Sequence, residues 1–263
     1  MPSTRRLTVL ALLAGTLSFV TSACNQARTE DGKAPPAAQT AAANANAGAP
    51  AGPTTTSTGL TPTGTDSALT LRADSGRLMG TGAMWVVMIS DYQCPYCKSW
   101  HDSSMANLER DYIKTGKIRF AYLHLPLEGI HPHARAESEA AMCAGAQGKF
   151  WPYSNALFAA QGTVRTMNDV SPLLTRIARE QSLDLTAFNA CRQSPAIRSL
   201  VEADIRQASQ ANVQSTPSFV VGEFMLRGAL PYPDFAKAID TALVRFKQRT
   251  AAQAAGAPPG PGR

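Results

Sequence analysis

The chain has 263 residues, 44% of them hydrophobic, and a formal charge of +6 at neutral pH. That is room for one domain of ordinary size with an insertion, or for two small ones. Its 25 Lys and Arg residues form no dense block, which excludes a nucleic-acid binder held by a basic patch.

The first 23 residues carry Arg5 and Arg6, then the apolar stretch Leu7 to Val20, then the small residues Thr21-Ser22-Ala23. These are the three parts of an export signal, and the apolar stretch is short for a membrane span. The expected destination is the periplasm or cell envelope. Cys24 follows directly and resembles the cysteine of a bacterial lipobox, which becomes a lipid-bearing N-terminus and an anchor to the membrane. Thr21 stands where leucine is usual, so ordinary signal-peptidase cleavage after Ala23 is the alternative. Parity favours lipidation: acylating Cys24 leaves four of the five cysteines to pair in an oxidising compartment. Loss of Arg5 and Arg6 lowers the charge from +6 to +4. Residues 24–66, rich in Ala, Pro, Thr, Gly and Asn, cannot offset their ordering entropy and read as a disordered tether. The folded part is expected over 67–250.

Ala83 to Ser90 is a continuous apolar run rich in β-formers and reads as a strand buried on both faces. Asp91-Tyr92-Gln93-Cys94-Pro95-Tyr96-Cys97 follows, and Trp100, Met105, Leu108 and Tyr112 then recur at helical spacing. Cys94 therefore sits at a helix N-terminus, where unpaired backbone N–H groups and the helix dipole favour a thiolate. Cys94 is the candidate nucleophile and Cys97, one turn further in, the candidate resolving thiol. A zinc site would need a second ligand pair, and Cys24, Cys143 and Cys191 are single and far apart, so no metal is expected. A purely structural disulfide is the other bland reading of the pair.

Gly116 can take a left-handed helix cap, and Ile118 to Leu125 reads as a second strand, completing a βαβ unit. From about 129 to 211 the period is helical. Ala134–Ala146, a helix marked by Val170, Leu173, Leu174, Ile177 and Ala178, and another marked by Ile197, Leu200, Val201, Ile205 and Ala208 form an inserted block. Cys143 and Cys191 both fall within it, and in an oxidising compartment the simplest account is a disulfide stapling two of its helices. His131 and His133 have no evident partner and read as surface polar residues. Strand character returns over Val213 to Val221, Gly222-Glu223 fits a two-residue hairpin turn, and Phe224 to Leu226 returns. Phe235, Ala238, Ile239, Ala242, Leu243 and Phe246 mark a closing amphipathic helix. Residues 251–263 read as a disordered tail.

The succession of strand, Cys94-Pro95-Tyr96-Cys97 helix, strand, helical insertion, Thr216-Pro217 hairpin and final helix resembles a DsbA-like thiol-disulfide oxidoreductase of the thioredoxin superfamily. Ser90 to Cys97, Gln147 to Trp151, Ser215 to Val220 and Arg227-Gly228-Ala229 carry the resemblance together. It implies an α/β thioredoxin-like fold with an inserted helical subdomain, and an enzyme acting as a monomer with no cofactor beyond a redox-active Cys94–Cys97 disulfide. Its implied role is to introduce disulfides into reduced exported proteins. A membrane redox partner similar to DsbB or to the vitamin-K-epoxide-reductase-like proteins would remove the electrons. The resemblance further implies a cis Pro217 beside the cysteines, with Thr216 tuning the thiolate. Members often bury an acid six positions before the first cysteine; here that position is Met88, leaving Asp91 or water for proton transfer. An isomerase or reductase, or a non-catalytic binding or chaperone domain, are the competing readings of the same fold.

Overall fold

A computed structural model describes residues 64–256, with side chains from 67. The expected signal, Cys24 and its lipid, the tether as far as residue 63 and the tail from 257 lie outside the described residues.

Two helix–strand pieces open the described chain: α1 (Gly64–Gly76) with β1 (Leu78–Met79), and β2 (Met84–Ser90) with the helical stretch that begins as α2 (Pro95–Trp100). That stretch passes through a π-helical turn at His101–Met105, α3 (Ala106–Leu108) and a second π turn at Glu109–Ile113. Gly116, at φ 68°, turns the chain into β3 (Ile118–His124). Five helices follow: α4 (Ala134–Ala146), α5 (Phe150–Val164), α6 (Ser171–Glu180), α7 (Leu185–Arg192) and α8 (Pro195–Gln210). The hairpin β4 (Ser218–Val221) and β5 (Phe224–Arg227) precedes α9 (Tyr232–Ala254).

The sheet runs in the order β1-β3-β2-β4-β5. β2 lies parallel to β3, with Met88 opposite Tyr122 and Ser90 opposite His124, while β1, β4 and β5 pair antiparallel. Because side chains alternate along a strand, Val86, Met88, Phe120, Tyr122, Phe219 and Val221 face one core with Trp100, Phe158 and Phe235. Val87, Ile89, Ala121, Leu123 and Val220 face a second, smaller one closed by Ala208 of α8 and by Val213. The strand read from Ala83 is thus buried on both sides, as its unbroken apolar run demands.

Three boundaries differ from the sequence reading. Helix α1 begins at Gly64, inside the stretch taken as tether. It has no apolar stripe and docks through close backbone approach: a Cβ on Gly76 would lie 2.6 Å from the Gly145 carbonyl oxygen of α4. Strand β4 starts only at Ser218: Asn212, at φ 53°, turns the chain after α8, and Thr216–Pro217 is cis. Helix α9 runs on to Ala254, through an alanine-rich segment that the composition had assigned to the tail.

Arg77, between α1 and β1, is 3% exposed. Its Nε donates to Asp74 Oδ1 at 2.9 Å, its Nη1 to the Tyr122 carbonyl at 3.1 Å, and it forms an ion pair with Asp204 of α8. Asp204 also accepts from the His124 backbone N–H at 2.9 Å. Buried charges are tolerated when paired and hydrogen-bonded in this way.

Candidate active site

β2 ends at Ser90, and Asp91 to Gln93 carry the chain to Cys94, which caps α2 in an extended conformation (φ −70°, ψ 119°). Pro95 takes the first helical position, where a missing N–H costs nothing. Cys94 and Cys97 both carry free thiols, and Cys97 is fully buried while Tyr96 stands 67% exposed beside them.

The two sulfurs differ sharply. The Cys94 thiol is lowered to about 6 by a hydrogen bond from Cys97, against the opposing cost of burial; Thr216 and the backbone N–H groups of Cys97 and Tyr96 add to the effect. Cys97 is held well above an ordinary thiol by burial and by donating to Cys94. Cys94 Sγ also lies 3.3 Å from the Thr216 carbonyl oxygen, next to Pro217 in its cis bond. At neutral pH the pair is one nucleophilic thiolate over one protonated thiol, the combination that thiol–disulfide exchange uses.

The inserted helices hold the loop ahead of Cys94. Asp91 is buried; its Oδ1 accepts from Gln93 N at 2.7 Å and its Oδ2 from Leu127 N at 2.8 Å and His131 Nδ1 at 2.7 Å. Both oxygens are therefore engaged in fixing the loop, and His131, read as a surface residue, has Asp91 as its partner. His133 Nε2 donates to the Met167 carbonyl at 2.9 Å. Tyr92 Oη and Ser154 Oγ of α5 are 2.7 Å apart. Gln93 Nε2 donates to Glu137 Oε2 of α4 at 2.8 Å.

Met88, at the position where the resemblance implies an acid, is 1% exposed in the apolar cluster that includes Cys97 and Trp100. Besides Asp91 the loop has a second buried carboxyl beside it, Glu137, which burial raises to about 8. Sequence reasoning missed Glu137, Ser154 and Gln161, whose side-chain nitrogen on α5 donates to the Tyr92 and Cys94 carbonyls. The one available signal was an acid on the same helical face as Ala140, Ala141 and Ala144, where a solvated residue is out of place.

Cys143 of α4 and Cys191 of α7 are bonded, with an S–S distance of 2.01 Å. Among the described residues no group of three or more His, Cys, Asp or Glu could hold a metal ion, and no helix is long and apolar enough to cross a membrane.

Residues 79–241 match the family model described as Thioredoxin. The chain is 31% identical over 166 residues to the Na(+)/H(+) antiporter NhaA 1 of Salinispora arenicola and 32% identical over 136 residues to NhaA 3 of Salinispora tropica. These matches take 62% and 52% of this chain but only 24% and 20% of the antiporters' own length. It is 28% identical to the probable disulfide bond formation protein D of Bacillus anthracis, over 60% of this chain and 73% of that protein. Oxidised BdbD from Bacillus subtilis superposes with a TM-score of 0.58 at 21% identity, covering 64% of this chain and 94% of its own. Wolbachia pipientis alpha-DsbA1 gives 0.58 at 20% identity over 66% and 94%. The family match over the site and the shared fold lead to one conclusion: the chain belongs to the thioredoxin family.

Proposed function

We propose that the protein introduces disulfides into reduced, exported proteins. The observation that carries this reading is the split between the sulfurs: Cys94 lowered to about 6 and Cys97 held far above it. A substrate thiolate attacks Cys94 of the enzyme disulfide and displaces Cys97. A second substrate thiolate then attacks its own partner sulfur, releasing the substrate disulfide and leaving Cys94 as thiolate. A leaving group of low pKa makes the reduced enzyme stable and its disulfide oxidising. Thr216, facing Cys94, tunes that thiolate, and Asp91 acts as the loop's anchor more than as a carrier of protons.

The Bacillus relatives are named disulfide bond formation proteins, which supports this direction. Export, a lipid on Cys24 and a monomer working beside a membrane partner of the DsbB or vitamin-K-epoxide-reductase-like kind belong to the same proposal. The lipid is tested by Cys24→Ala, which should release the protein into the soluble fraction. The direction is tested by the equilibrium reduction potential of the Cys94–Cys97 pair in glutathione. A value near about −120 to −180 mV supports an oxidant; one near about −270 mV would make the protein a reductant.

A further inference from the structure

Cys94 stands at the start of α2, and helix ends, whose first N–H groups have no intrahelical partner, fray before the rest. Two backbone bonds hold it there: Cys94 N donates to the Asp91 carbonyl and Lys98 N to the Cys94 carbonyl, both at 3.2 Å. A third comes from outside the turn. Gln161 of α5, 5% exposed, donates from Nε2 to the Cys94 carbonyl at 3.0 Å and to the Tyr92 carbonyl at 2.6 Å. Both acceptors are carbonyl oxygens, so the amide must turn its nitrogen to them. One side chain thus grips the chain on both sides of Gln93 and fixes the backbone that carries the nucleophile, whose Sγ lies 3.3 Å from the Thr216 carbonyl.

The worth of this grip depends on redox state. In the disulfide, Cys94 is tied covalently to Cys97, a fully buried residue of α2, and its place no longer rests on hydrogen bonds alone. In the dithiol, the state of the described chain, that tie is open and the hydrogen bonds are what keep Cys94 in position. We propose that Gln161 is a positioning residue that stabilises the dithiol over the disulfide, so that the helical insertion sets part of the enzyme's oxidising strength. This rests on the reading of Cys94–Cys97 as an exchanging pair. Reduction by two glutathione thiols breaks the Cys94–Cys97 bond, forms the bond of glutathione disulfide and passes two electrons to the enzyme. One of the two thiol protons stays on Cys97 and the other is released with Cys94 as thiolate. A contact that favours the dithiol over the disulfide draws this equilibrium towards reduction. Tyr92 takes no part in the exchange, so its bond to Gln161 counts equally in both states; the bond to Cys94 carries the difference.

The test is the equilibrium of the full chain with reduced and oxidised glutathione, measured for the wild type and for Gln161→Met, a side chain of similar length with no donor. The equilibrium constant for reduction should fall about fivefold in the variant, the net worth of one hydrogen bond. That is a shift of about 20 mV towards a weaker oxidant. Guanidinium unfolding of both redox forms closes the cycle: Gln161→Met should cost the dithiol more stability than the disulfide, by the same factor. A bond that merely holds the fold lowers both forms alike and leaves the constant where it was. An unchanged or raised constant in Gln161→Met overturns the proposal. Should that variant fail to fold, Gln161→Asn, one methylene too short to reach both carbonyls, takes its place with the same expected fall, and an unchanged constant there overturns it. If the wild-type pair does not exchange with glutathione at all, the exchange reading falls and this inference with it. If the wild type exchanges as an oxidant and the variant matches it, only the inference falls.

Discussion

Gln161 and Cys94 are joined across the two parts of the fold: one side-chain nitrogen of Gln161, on α5, donates to the Cys94 carbonyl at 3.0 Å and to the Tyr92 carbonyl at 2.6 Å. Both acceptors are in buried residues. Replacing Gln161 with Ala removes this donor from the Tyr92 carbonyl, while the Cys94 carbonyl keeps the Lys98 N–H at 3.2 Å, and a buried group without its partner costs about 1–3 kcal/mol. Guanidinium unfolding of oxidised Gln161→Ala should show a lower midpoint of that order. An unchanged midpoint would mean that the insertion does not hold the loop.

Cys94 should titrate near 6 when the reduced protein is followed by thiolate absorbance. Its pKa in the folded chain lies below the ordinary thiol value. The stabilisation it gives the reduced form is therefore absent below about pH 6, grows as pH rises from there, and is complete above about pH 9. Thr216 contributes to the lowering, so Thr216→Val should move the midpoint upward by about one unit. A downward or absent shift would remove Thr216 from the thiolate's support.

Glu137 gives a pH dependence of the opposite sense. Burial raises it to about 8, with Asp91 adding to the rise and the Gln93 hydrogen bond opposing it. Its folded value is above the unfolded one, so its contribution to stability is complete below about pH 4.5 and is lost as pH rises through 8. Glu137→Gln keeps an acceptor for Gln93 and cannot ionise. The variant should match the wild type near pH 4 and exceed it at pH 8 by more than about 1.4 kcal/mol, the worth of one pKa unit. Parallel stability curves in urea from pH 4 to 8 would count against a buried, neutral Glu137.

The Cys143–Cys191 bond closes a loop of 48 residues. By chain entropy such a closure stabilises by ~4 kcal/mol. The double variant Cys143→Ala/Cys191→Ala should unfold at correspondingly lower denaturant while Cys94 keeps its titration midpoint, since the groups that lower it are Cys97, Thr216 and the backbone of Cys97 and Tyr96. Equal unfolding midpoints would show the bond to be energetically idle.

What the sequence made legible was local. An unbroken apolar run predicts β2, the Cys94-to-Cys97 spacing followed by helical periodicity predicts the redox turn, and the apolar stripes of α4, α6 and α8 mark the insertion. The clamp on the loop was not legible. His131 meets Asp91 across 40 residues, Gln93 meets Glu137 across 44, and Gln161 meets Cys94 across 67. Each is a polar residue that looks solvated until tertiary packing buries it. Helix α1 was missed for a related reason: its docking depends on what is absent at Gly76 and Gly145, and no periodic signal reports an absence.

Arg77 and Asp204 also govern the order of assembly. They are 127 residues apart, so a chain made from its N-terminus exposes the guanidinium long before its distant partner exists. Asp74 can accompany Arg77 from the start, but burial of one guanidinium beneath Tyr122 without Asp204 would strand a charge away from water. Among the described elements, α1 and β1 therefore complete the paired burial of Arg77 only once α8 is in place.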